Sequence, residues 1–241
     1  MTITSARYLN LGLSILGTFS APLQYLLDVP QNPKLICQTH KFCNLQALSI
    51  LNQQGRHTEH IDMLTNHLPA LQEGVVWADL QFKNINHFFN PVTKKGLWHF
   101  SPGVYDFSVY LTKACRLAKK QDLNNSFFFL GAAAHLLQDM SVPHHVCGYL
   151  FHGHKKFERW VENHLEEFSL YTPSMKPIKS PIDLLYSDAM IARDFMSQVE
   201  ESSSEKQYRY AAETLLPLAC ISSAQLFEWF IETKMKGVPH F

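Results

Sequence analysis

The chain has 241 residues with 21 Lys and Arg against 21 Asp and Glu, so its formal net charge is zero. Proteins that grip a nucleic-acid backbone usually carry a basic excess, so this balance argues against a stable nucleic-acid partner. With 46% hydrophobic residues, 10 Gly and 12 Pro, the composition excludes a disordered chain and disfavours a turn-dense all-β fold.

The first 35 residues stand apart from the rest, either as an N-terminal arm that packs or as a segment that resembles an export signal. Arg7 precedes a moderately apolar run, residues 9–19, and Ser20 closes a small-x-small pattern that suits signal cleavage. Polar residues interrupt the run, so both interpretations stay open, and we favour export over a cytoplasmic location. No run approaches the ~20 apolar residues that span a bilayer, and we expect no transmembrane segment.

Helical periodicity dominates the rest of the chain. The predicted helices include, in chain order, residues 45–51, 61–68, 105–119, 127–140, 153–168, 183–197 and 205–234. Residues 76–101 form the longest predicted irregular stretch, Pro143 ends the fourth helix, and Pro217 kinks or divides the last. The sequence therefore predicts an all-α fold, a single-domain multi-helix bundle.

Histidines are concentrated in one short region of the chain. Five of the 13 lie between residues 131 and 158. His135 and Asp139 are four positions apart and share a helix face, as do His154 and Glu158, with a Pro-His-His turn at residues 143–145 between the pairs. Such pairs on adjacent helices build metal sites in bundles. Because the five cysteines are scattered, nitrogen and carboxylate ligands are expected, which suit zinc, with iron or manganese as alternatives.

Residues 127–161 resemble the zinc-dependent bacterial phospholipase C family, which shares a fold and metal site with the S1/P1 nucleases. Further segments resemble the family in the same order: Thr39-His40 and residues 73–79, 86–91 and 225–230. The resemblance therefore covers about residues 36–235, which we interpret as one phospholipase C-like domain. It implies an all-helical fold with up to three zinc ions in a cleft.

The resemblance also implies eight metal ligands. One zinc ion would be held by Asp79, His87, His135 and Asp139. A second would be shared by Asp139 and His40, and a third would be held by His145, His154 and Glu158. The family spacing prefers His145 over its neighbour His144, which the residues alone do not. Asp139 as the bridge and Asp79 as ligand and general base are the candidate catalytic residues.

Two departures from the family pattern concern the edges of this site. Secreted members bind the second zinc ion through an N-terminal Trp, but no Trp precedes Trp77 here. The site that uses His40 would then be weak, absent, or completed by a backbone group or water.

The second departure lies in the short loop from Leu80 to Asn86, where Leu80 replaces the family's Tyr. This puts choline preference in doubt, although Phe82, Phe88 or Phe89 could contact a quaternary ammonium instead.

The implied activity is a zinc-dependent phospholipase C, which releases diacylglycerol and a phosphorylated head group at a membrane or micelle surface. We expect a monomer. The alternatives are an S1/P1-type nuclease and a zinc-binding protein with impaired catalysis. The lipase is favoured because His154 pairs with Glu158 and lies close after His145, whereas the nucleases usually carry an aspartate there and a longer insertion.

Overall fold

The computed structural model describes residues 37–80, 83–168 and 175–234. These residues form nine α-helices: α1 (Gln38–Gln53), α2 (Thr58–Asn66), α3 (Leu68–Asp79), α4 (Gly103–Lys119), α5 (Leu123–Asp139), α6 (Pro143–Cys147), α7 (His154–Asn163), α8 (Pro181–Arg193) and α9 (Glu205–Lys234). Short 3-10 segments lie at Lys83–Asn86, Leu97–His99, Leu165–Glu167 and Met196–Gln198. This part of the chain contains no β-strand, and the predicted all-α fold is confirmed. The predicted N-terminal arm lies outside the described residues.

The predicted helices are present, but several begin or end elsewhere. The stretch predicted to be irregular from residue 76 starts with the last turn of α3. Pro143 follows α5 as predicted and also begins α6, because its fixed φ and missing N–H suit a first helical turn. Pro217 lies inside α9, which is one 30-residue helix rather than two. The domain boundary near residue 36 stays a prediction.

The helix α5 lies at the centre of the fold and is buried continuously from Leu130 to Asp139. It packs against α3, α4 and α9, and α9 in turn packs against α1. The three alanines at 132–134 are fully buried, which allows close approach of neighbouring helices as their small size predicts. Residues at the C-terminal end of α5 are therefore fixed from several sides.

Two glycines set the contact between α3 and α5. A Cβ atom at Gly131 would overlap the backbone of Leu71, and one at Gly74 would overlap the carbonyl of Phe128. The two helices thus touch through their backbones. Since α3 ends at Asp79 and α5 carries His135, this contact sets the distance between two candidate ligands.

The helix α9 is long and apolar enough, by length and composition, to cross a membrane. However, 67% of its most apolar window is buried inside the protein. Phe227 and Phe230 are among its buried side chains. This burial is typical of the core helix of a packed domain, so the described residues offer weak evidence for a membrane span.

Replacing Gly131 by alanine is expected to destabilise the protein. The new methyl group meets backbone that cannot rotate away, so we expect a loss of about 3 kcal/mol and a fall in Tm of about 6–12 °C. Asn124→Ala, at an exposed position of the same helix, is the control and should change Tm little. Equal Tm values for the two variants would contradict the backbone contact.

Asp188 on α8 is a buried carboxyl whose pKa is raised to about 8 by burial, although the Ser222 hydroxyl opposes the shift. In the unfolded chain the carboxyl ionises near its ordinary value of 3.8, so the native state binds the extra proton between these pH values. Stability should therefore fall as the pH rises from about 4 to about 8.

Asp188→Asn should remove this pH dependence because the amide imitates the protonated carboxyl. In urea unfolding with chelator present, we expect the advantage of the variant over wild type to be about 2–4 kcal/mol larger at pH 8 than at pH 5. An advantage that does not change with pH would refute the raised pKa.

Candidate metal centre

The centre is built around the Asp139 carboxylate at the end of α5. Its Oδ2 lies 2.9 Å from His87 Nδ1 and 3.4 Å from His135 Nε2. Its Oδ1 lies 3.5 Å from His40 Nε2 and 3.8 Å from His145 Nε2. One buried carboxylate therefore faces four imidazoles from α1, α5, α6 and the segment after the first 3-10 helix.

All eight predicted ligands lie at this centre. Their ligand atoms form three groups in which every atom lies within 4.8 Å of the others. The groups are His40, His135 and Asp139; Asp79, His87 and His135; and His145, His154 and Glu158. The third group matches the predicted set, and His135 is shared by the first two. Which ion each residue binds stays a prediction.

The separations between these atoms fit a zinc ion. Tetrahedral zinc with N and O ligands at about 2.0–2.2 Å places neighbouring ligand atoms about 3.3 Å apart. His145 Nε2 lies 3.1 Å from His154 Nε2 and 3.4 Å from Glu158 Oε1. His154 Nε2 lies 2.9 Å from the same carboxylate oxygen. On the other side of Asp139, His87 Nδ1 and His135 Nε2 are 3.3 Å apart.

The contacts of His87 also indicate that a cation or a proton lies between its ring and Asp139. Its Nε2–H donates to the Ala78 carbonyl at 3.1 Å, which turns Nδ1 towards Asp139; burial opposes protonation of this ring, but the Asp139 carboxylate raises the pKa of His87. Asp139 Oδ2 is buried, and when Nδ1 carries no proton it receives no hydrogen bond from His87. Two electron-rich atoms 2.9 Å apart need a cation or a proton between them. The donors present therefore suit a divalent cation.

Gln138, which the sequence does not single out, orients His40. Its Oε1 accepts a hydrogen bond from His40 Nδ1 at 2.8 Å. Its Nε2 donates to Asn44 Oδ1 at 2.9 Å and to Ser223 Oγ at 2.8 Å, so the amide cannot flip without losing both bonds. His40 is thereby held with Nε2 towards Asp139, the arrangement typical of a metal-binding histidine with an outer hydrogen-bond partner.

Burial and neighbouring side chains shift the pKa values of Asp139 and His135. Burial alone would raise the pKa of Asp139, but the imidazoles of His145 and His135 hold it well below its usual range. Burial lowers the pKa of His135 well below its ordinary value, and the neighbouring His40 lowers it further. The centre therefore presents a carboxylate and a neutral imidazole near neutral pH, which are the protonation states that bind metal.

His144 is fully buried, beside the third group but outside it. Its Nε2 donates to the His152 carbonyl at 3.1 Å, and its ring stacks on His154 with centroids 4.9 Å apart. Burial, followed by the charge of His154, lowers the pKa of His144 to about 3. It is a neutral packing neighbour, in agreement with the preference for His145 as the ligand.

The aromatic residues proposed for a head-group pocket are placed differently. Phe88 and Phe89 are buried, and Phe82 lies outside the described residues. Phe88 packs against the His145 ring with centroids 4.7 Å apart, and Phe89 packs against Tyr186. Both rings therefore support the centre from within, and neither replaces the missing Tyr at an open surface.

Comparison with known proteins identifies the family of this chain. The family model described as zinc dependent phospholipase C matches residues 39–210. The chain belongs to the zinc-dependent phospholipase C family. The resemblance found in the sequence is thus confirmed, and the three ligand groups lie in a family whose members depend on zinc.

Relatives from clostridia give the extent of the similarity. Phospholipase C of Clostridium perfringens is 26% identical over 187 residues, 68% of this chain and 46% of that protein. Phospholipase C of Clostridium haemolyticum is 27% identical over 164 residues, 58% of this chain and 41% of that protein. The chain therefore spans about half the length of the curated relatives it matches.

Solved structures show the same fold. The alpha toxin from Clostridium absonum has a TM-score of 0.75 at 18% identity, and the match covers 83% of this chain and 64% of the toxin chain. Alpha-toxin from an avian strain of Clostridium perfringens has a TM-score of 0.69 at 19% identity, with the same coverage. At these identities the likeness establishes the helical architecture.

Gln138→Met tests the orientation of His40 in this family member. Methionine fills a similar volume but offers no amide oxygen, so we expect one zinc ion to bind about 10–100-fold more weakly. A competitive chelator titration with zinc analysis measures this. Gln53→Met, at the far end of α1, is the control and should leave every zinc affinity unchanged.

Proposed function

We propose that this protein is a zinc-dependent phosphodiester hydrolase that acts as a phospholipase C, releasing diacylglycerol and a phosphorylated head group. The observation that carries the proposal is the set of three His and carboxylate groups assembled around Asp139 in a chain of this family. Bound zinc ions would supply Lewis acidity, lowering the pKa of a water molecule and neutralising charge on the phosphoryl oxygens.

The two aspartates have different parts in this proposal. Asp139 turns one oxygen towards His87 and the other towards His40, which supports a bridging role. Asp79, the last residue of α3, would bind metal and take up the proton that the attacking water loses. The new bond forms between the water oxygen and phosphorus, and the bond from phosphorus to the diacylglycerol oxygen breaks.

An exposed apolar segment beside the centre supports a lipid substrate. Trp98, Phe100 and Tyr105 are about half exposed or more, at 52%, 48% and 61%. The Gly103 N–H donates to the Phe88 carbonyl at 3.0 Å, so this segment runs beside the one that carries His87. Aromatic side chains suit the interface between water and lipid. Contact with a membrane or micelle surface is therefore part of the proposal.

Asp139→Asn is expected to lower turnover by at least about 100-fold, because an amide cannot bridge two cations as a carboxylate does. The assay measures chelator-sensitive release of phosphocholine from phosphatidylcholine micelles by zinc-loaded protein, with bound zinc measured in parallel. Asp62→Asn, at an exposed position of α2, should keep both activity and zinc.

The same preparation distinguishes the alternatives. Hydrolysis of single-stranded DNA or RNA without lipid turnover would favour an S1/P1-type nuclease. Bound zinc without hydrolysis of any of these substrates would favour a zinc-binding protein with impaired catalysis. Near-normal lipid turnover by Asp139→Asn would overturn the bridging role.

A further inference from the structure

Basic residues are concentrated in one part of the chain, although the whole chain is neutral. Residues 83–120 contain seven Lys and Arg residues and one acidic residue, Asp106, so this stretch has a net charge of +6. The rest of the chain has 14 basic and 20 acidic residues and carries −6. The basic stretch includes α4 and the residues that lead from His87 to it. Such a local field acts on a binding partner even when the total charge is zero.

A tight turn before α4 displays two of these lysines. The Asn90 N–H donates to the Lys95 carbonyl at 2.9 Å, and the Asn90 side chain accepts from the Val92 and Thr93 N–H groups at 3.0 Å. Val92 is 56% exposed, and the side chains of Lys94 and Lys95 are exposed. These hydrogen bonds use the backbone of the turn and the side chain of Asn90, so the lysine side chains take no part in them.

The residues after this turn hold two aromatic rings in exposed positions. Leu97 is buried, and its carbonyl accepts from the Phe100 N–H at 2.8 Å, which fixes the course of the segment. Trp98 between them has φ 46° and ψ 35°, a left-handed conformation that a bulky residue rarely adopts. Trp98 and Phe100 are nevertheless about half exposed. Strain that presents a tryptophan to solvent indicates a functional surface.

The exposed face of α4 extends this surface. Tyr105 and Val109, near the start of the helix, are 61% and 42% exposed. Arg116 and Lys119 are exposed and follow on the same face at helical spacing. At 1.5 Å per residue the face runs for about 20 Å, from apolar side chains next to the aromatic segment to basic side chains at the end of the helix.

We infer that residues 92–100 and this face of α4, together called the basic aromatic surface, bind an anionic phospholipid bilayer. Aromatic side chains suit the interface between water and lipid, and lysine and arginine close to it are attracted by anionic head groups. A single-stranded nucleic acid also binds basic and aromatic residues, but the exposed valines at 92 and 109 favour lipid. The inference rests on the proposed function for the substrate, whereas binding itself requires no hydrolysis.

Vesicle flotation measures this binding with the zinc-loaded full chain. Vesicles of phosphatidylcholine alone are compared with vesicles that contain about 30% phosphatidylglycerol, and released head group is measured in the same samples. We expect at least about 10-fold tighter binding to the phosphatidylglycerol vesicles at about 0.1 M salt. Most of this preference should disappear at about 0.5 M salt, because salt screens exposed charges.

The double variant Lys94→Glu, Lys95→Glu should lower the affinity for phosphatidylglycerol vesicles at least about 10-fold and leave that for phosphatidylcholine vesicles nearly unchanged. The control is Lys179→Glu, Lys206→Glu, which makes the same change in net charge at exposed positions outside the basic aromatic surface. It should keep the preference. Trp98→Ser should weaken binding to both kinds of vesicle at least about 3-fold, because contact of the ring with the interface does not depend on lipid charge.

Equal binding of the wild type to both kinds of vesicle would overturn the inference, as would equal losses in the two double variants. Tighter binding to single-stranded DNA than to phosphatidylglycerol vesicles would also overturn it and assign the surface to nucleic acid. Head-group release without the preference for phosphatidylglycerol would contradict this inference alone. Binding to anionic vesicles without any head-group release would support the inference and contradict the proposed function.

Discussion

A carboxylate buried among helices is the constraint on which this structure depends. Moving an ionised carboxylate out of water is costly unless other groups compensate its charge. Four imidazoles reach the Asp139 carboxylate from separate elements, and burial keeps at least His135 in its neutral form. Neutral rings orient the carboxylate but leave its charge in place. The helices are therefore arranged around a position that suits a cation.

The packing of α5 explains how this arrangement is held. Gly131 lets α3 touch α5 through the backbone, so the end of α3 arrives beside the last turn of α5. The side chain of Gln138, one position before Asp139, links α1 to α9 through its hydrogen bonds to Asn44 and Ser223. The helix α5 consequently determines both the core packing and the positions of the ligands. A change in either would alter the other.

The sequence predicts local features of this site far better than distant ones. The pairs of His with a carboxylate four positions later need only helical periodicity, so α5 and α7 carry them as predicted. Gln138 could not be found in this way, because its partners Asn44 and Ser223 are 94 and 85 positions away. Choosing His145 over His144 required the family resemblance.

The two sides of the centre differ in whether their ligands come from neighbouring or from distant parts of the sequence. The group of His145, His154 and Glu158 comes from α6 and α7, which are close in sequence, and its three ligand atoms are already at zinc-like separations. The α1 side requires α1, α3 and α5 to meet, and it shares His135 with its neighbour. The α1 side therefore depends on the packing of three helices that are distant in the sequence, whereas the group on α6 and α7 depends mainly on the local course of the chain.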